Sequence, residues 1–64
     1  MNEVSQAIYD AASVMLECTT KLAELRRNDI ALCDKLALIM AQKKIDMARR
    51  ELLNIAVLLN EQYE

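Results

Sequence analysis

The chain has no glycine, no proline and no histidine. Each absence removes a class of structure or chemistry. Without glycine or proline, strands joined by tight turns are disfavoured, because the usual hairpin turns need a positive or a fixed φ. Without glycine there is no backbone loop to cradle a phosphate, and without histidine the commonest general base is missing. Aromatic residues are scarce as well, Tyr9 and Tyr63 alone making up the 3%, so the apolar load falls on aliphatic side chains. The two cysteines are too few for a closed zinc site and show no Cys-x-x-Cys spacing. No catalytic, metal-ligating or cofactor-binding residue is assigned, no cofactor is expected, and the expectation is a protein that is not an enzyme.

What the chain does have is helix-forming apolar residues. Its hydrophobic share of 55% rests on Ala, Leu, Ile and Met, which suits helix-on-helix packing and makes the fold class all-α. Sixty-four residues form one small domain, and a chain this short buries a modest part of its surface when folded alone. With no disulfide or metal staple, extra burial must come from self-association or from another chain. Cys18 and Cys33 would differ in height by roughly 9 Å in a hairpin, beyond disulfide reach, so both are read as reduced thiols in a reducing compartment. Formal net charge is -2 and neither half is strongly of one sign, which points to neither nucleic acid nor an acidic membrane surface as a partner. The longest uncharged run, Leu52 to Asn60, is far short of a bilayer span. The opening Met1-Asn2-Glu3 lacks the features of a secretory signal, so a cytoplasmic location is expected.

Periodicity divides the chain into a helical hairpin. A first helix over about 3–27 is marked by Val4, Ile8, Ala11, Met15, Cys18, Leu22 and Leu25, whose alternating spacing of four and three predicts one packing seam. Asn2 is its expected N-cap. Glu3, Asp10, Glu17 and Glu24 recur at heptad spacing on the far side and read as a solvated acidic stripe. The polar cluster Arg26-Arg27-Asn28-Asp29 breaks the seam. A turn at about 28–29 is expected, with Asn28 tolerating a left-handed conformation and Asp29 capping a second helix over about 30–62. That helix repeats Leu38, Ala41, Ile45, Ala48, Leu52, Ile55 and Leu59 along one face. A single continuous helix in a coiled coil is the alternative, since Leu32, Leu36 and Ile39 extend the apolar pattern past Asp29.

The second helix has more apolar surface than the first can cover. A turn at 28–29 sets residue 2 beside residue 55, so everything after Ile55 is expected to project beyond its partner. Leu32, Leu36, Ile39, Met40, Met47, Leu53, Val57 and Leu58 are therefore the candidate partner-binding residues. Their covering is expected from self-association as a dimer or tetramer, or from a helical protein partner docked on that face. Lys43, Lys44, Arg49 and Arg50 suggest an alternative, an RNA-binding hairpin dimer of the kind that regulates plasmid or phage RNA. Their interleaving with Asp46 and Glu51 makes a poor phosphate track. A purely structural homo-oligomeric bundle is the third reading.

The stretch from Ile45 to Leu59, followed by Tyr63, gives the second helix an apolar run and a terminal tyrosine. That plan, a short acidic hairpin with a longer second helix, resembles the small helical-hairpin co-chaperones of type III secretion systems. The resemblance implies a cytoplasmic bacterial protein that pairs with a second, tetratricopeptide-like chaperone to hold a needle subunit unpolymerised until export.

Overall fold

The computed structural model describes residues 3–63. It is an all-α helical hairpin: α1 spans Glu3–Arg26 and α2 spans Leu32–Tyr63. The expected N-cap Asn2 and the side chain of Tyr63 lie outside the described residues. Neither helix contains a residue that would break it, and each carries an acid in its first turn, Glu3 and Asp34, where the helix dipole favours negative charge. Arg26 in the last turn of α1 complements the opposite pole.

The connection, residues 27–31, is longer than the two to four residues expected about 28–29, and its chemistry differs. The Arg27 N–H donates to the Glu24 carbonyl at 3.2 Å and the Asn28 N–H to the Leu25 carbonyl at 3.1 Å, which tightens the end of α1 into a 3₁₀-like turn. The Ile30 N–H then donates to the Asn28 carbonyl at 3.0 Å. α2 opens where the Lys35 N–H reaches the Ala31 carbonyl at 3.1 Å. Ala31, and not Asp29, therefore stands at the N-cap position. Among the described residues none has a positive φ, so Asn28 does not take the left-handed form. The 3₁₀ closure satisfies part of the helix end without it.

Two cross-helix hydrogen bonds fix the register. Ser5 Oγ donates to the Ala56 carbonyl at 3.5 Å, and Gln42 Nε2 donates to the Thr19 carbonyl at 3.3 Å. Both belong to one antiparallel alignment, in which Ala12 is level with Arg49 and Glu3 with Leu58. The extra connecting residues have moved α2 by about one turn relative to the expected alignment. Ile55 to Leu58 consequently lie beside α1, and Ala56 is fully buried. The stretch beyond α1 is confined to the last turn or so of α2.

The seam is rotated from its expected position on α1. Ile8, Met15 and Leu22 are half-buried, as their spacing predicts, and Leu38, Ile45, Leu52 and Leu59 are half-buried on α2. The second row of the contact is different. Ser5, Ala12 and Thr19 are the buried residues of α1, while Val4, Ala11, Cys18 and Leu25 are exposed. Small side chains at heptad spacing let α2 lie close along that line, opposite the longer Gln42 and Arg49. Thr19 lowers the polar cost by donating its own hydroxyl to the Leu16 carbonyl at 2.8 Å. On α2, Ile55 of the expected seam is 47% exposed, for the same reason of rotation.

The hairpin is elongated, with a radius of gyration of 15.0 Å where a compact chain of its length would have about 11 Å. Its accessible surface is 5029 Å², against roughly 4,200 Å² expected for a compact monomer of this mass. A single layer of two helices has no second layer to close its core.

Candidate interaction faces

Successive residues of an α-helix are turned by about 100°, so the rotated seam determines what each flank of the hairpin presents. In an antiparallel pair, residues displaced in the same angular sense on the two helices fall on the same side of the molecule. Two faces result.

The first face is apolar at its ends and polar in its centre. From α2 it carries Leu32, Leu36, Ile39, Leu53 and Val57, with Lys43, Asp46 and Arg50 between the two groups. From α1 it carries Tyr9 and Leu16, edged by the polar line Gln6, Ser13 and Thr20. Gln6 Nε2 donates to Asp10 Oδ1 at 3.0 Å, and Thr20 Oγ1 donates to the Leu16 carbonyl at 3.0 Å, so these polar groups are engaged along α1.

The eight candidate partner-binding residues do not share one direction. Leu32, Leu36, Met40, Met47, Val57 and Leu58 are exposed, while Ile39 and Leu53 are half-buried against α1. Leu32, Leu36, Ile39, Leu53 and Val57 lie on the first face. Met47 is on the back of α2, directly away from α1, with Leu36 beside it at the outer edge of the first face; Met40 lies five turns before Leu58 and so points the same way. Leu58 is on the opposite flank.

That opposite flank is the second face, and it takes up Val4, Ala11, Cys18, Leu25 and Ile55, which their spacing places in the contact between helices. α1 contributes Val4, Ala7, Ala11, Val14, Cys18 and Leu25, a run in three-four alternation interrupted only by Lys21. α2 contributes Ala37, Ala41, Ala48, Ile55 and Leu58, with Lys44 and Glu51 on the outer line. Val4 is 59% exposed, Val14 57% and Leu58 59%, so side chains with a strong preference for burial stand in water. At the turn end this face dips into a groove of about 430 Å³ lined by Leu25, Ile30, Asp34, Ala37, Leu38 and Ala41, a volume able to receive apolar side chains.

The seam itself is poorly suited to stand alone. Gln42 Oε1 and Arg49 Nε are buried without a hydrogen-bond partner, and each such group costs free energy. Arg49 is thereby withdrawn from the basic set of the RNA-binding alternative, leaving Lys43, Lys44 and Arg50 exposed on different sides. Glu3, Asp10, Glu17 and Glu24 are all exposed, as the acidic stripe predicts. Cys18 and Cys33 are free and exposed, so Cys18 lies outside the seam that its spacing predicts. Among the described residues no helix is long and apolar enough to cross a membrane. No family model, curated protein or solved structure matches this chain.

Proposed function

We propose that the chain is a non-enzymatic protein-interaction module that stabilises a helical partner by burying apolar surface of α2 against it. The observation that carries this reading is the exposure of Leu32 at 71%, Leu36 at 52% and Val57 at 46%, which leaves apolar ends on the first face flanking a charged centre. A partner helix laid along that face would bury both apolar ends and meet Lys43, Asp46 and Arg50 between them. Apolar ends supply the affinity, at roughly 25 cal/mol per Å² removed from water. The charged centre supplies register and discrimination.

The finer reading is a co-chaperone of a secretion apparatus, in keeping with the resemblance of residues 45–59 to the type III secretion co-chaperones. A small hairpin of this kind would keep an aggregation-prone partner in solution by removing apolar faces of both chains from water together.

The test is capture of protein from the native cells by the tagged chain, with Leu36→Asp and Val57→Asp as the comparison and identification by mass spectrometry. A helical protein retained by the native chain and lost with both variants is the expected result. Capture that neither variant alters, with native helicity in both, would remove the first face from the interface.

A further inference from the structure

We propose that the second face is the interface between two copies of this chain, related by a twofold axis perpendicular to the helices that passes α2 at Ala48. The pattern of charge selects this arrangement. Lys44 and Glu51 are the charges on the outer line of α2, one heptad apart with Ala48 between them. When two α2 helices meet antiparallel about Ala48, Lys44 faces the partner's Glu51 and Glu51 faces the partner's Lys44. The contact is self-complementary, as a twofold interface must be.

The apolar residues fit the same axis. Ala41 faces the partner's Ile55 and Ala37 faces the partner's Leu58, so each large side chain meets a small one. α1 accommodates the same axis. The hairpin register puts Ala48 level with Ser13, so the axis must cross α1 there. The exposed run of α1 is self-complementary about nearly that point, with Ala11 facing the partner's Val14 and Ala7 facing the partner's Cys18. The three-four run of α1 is therefore compatible with the axis that the charges of α2 select, with Lys21 set beside the partner's Val4. An axis parallel to the helices would instead bring Glu51 level with Asp10, a like charge, so that at most Lys44, level with Glu17, would gain a partner.

The area suffices. The outline of the flank, 49 × 14 Å, gives a projected area of about 690 Å², of the same order as the roughly 800 Å² per partner of a standard interface. The product is an antiparallel four-helix bundle in which Val14, Ile55 and Leu58 leave water. The inference does not rest on the heterologous partner proposed above, which occupies the other flank and is tested by other residues.

Sedimentation equilibrium on the native chain, Lys44→Glu, Glu51→Lys and the double swap tests the pairing, with circular dichroism to confirm unchanged helicity. The native chain should be a dimer. Each reversal should raise its dissociation constant by about tenfold or more, and the swap should restore it to within about threefold. Separately, Ala48→Cys in a Cys18→Ala, Cys33→Ala background should be joined into a covalent dimer by a short bis-maleimide. A native chain that stays monomeric at hundred-micromolar concentration, a dimer unaffected by the reversals, or a dimer that Ala48→Cys cannot link would each overturn the proposal.

Discussion

Ala12 and Ala11 are adjacent and chemically identical, yet they occupy different environments. Ala12 is 2% exposed and level with Arg49, whereas Ala11 is exposed on the second face. Side-chain pattern alone cannot tell them apart, because both sit inside the broad apolar stripe of α1. Only the angular position of the contact does so. Ala12→Leu should therefore overpack the line where α2 comes closest and destabilise the hairpin by about 1–3 kcal/mol in urea unfolding. Ala11→Leu should leave the hairpin itself unaffected, and any loss it causes should appear as weaker association. Equal destabilisation by the two substitutions, independent of chain concentration, would return the seam to the position that periodicity predicts.

At the level of elements, both helices and the break between them are legible in the sequence. Nothing interrupts the runs 3–26 and 32–63, and Arg26-Arg27-Asn28-Asp29 stops the first apolar repeat. One row of the seam is legible too, through Ile8, Met15, Leu22, Leu38, Ile45 and Leu52. The other row is not. A stripe of apolar residues wider than one helix contact has no unique centre, and here the contact is centred toward Ser5 and Thr19 while Val4 and Leu25 are left outside. The length of the connection is equally hidden. Asp29 is the better N-cap by propensity, yet α2 starts from Ala31, and that two-residue difference helps shift every cross-helix pair. The N-cap position is thus occupied by a residue that cannot satisfy an exposed N–H of the first turn. Ala31→Asp should stabilise the hairpin by about 1 kcal/mol, read from the midpoint of urea unfolding. Asp29→Ala, outside the cap, should change it by less than about half of that. The reverse order would place the start of α2 at Asp29.

At the scale of the molecule, the question is whether the isolated hairpin can be stable. Buried among the described residues are Ser5, Ala12, Thr19 and Ala56, all small, and the seam also encloses unpaired atoms of Gln42 and Arg49. Burial of that extent offsets little of the backbone entropy of ordering two long helices. If a second copy covers the second face, as proposed above, stability should depend on how often chains meet. For a folded dimer in equilibrium with unfolded monomers, each tenfold rise in chain concentration adds about 1.4 kcal/mol to the stability of the assembly. With an unfolding entropy of about 2.1 cal/mol/K per residue over two chains, the thermal midpoint should rise by roughly 5 °C per decade of concentration. A hairpin folded by its own contacts would show no shift. Thermal unfolding by circular dichroism over two decades of concentration separates these cases without knowledge of any partner. Repeating it with Lys44→Glu should lower the midpoint at every concentration while preserving the slope, because the reversal weakens the assembly without changing how many chains compose it.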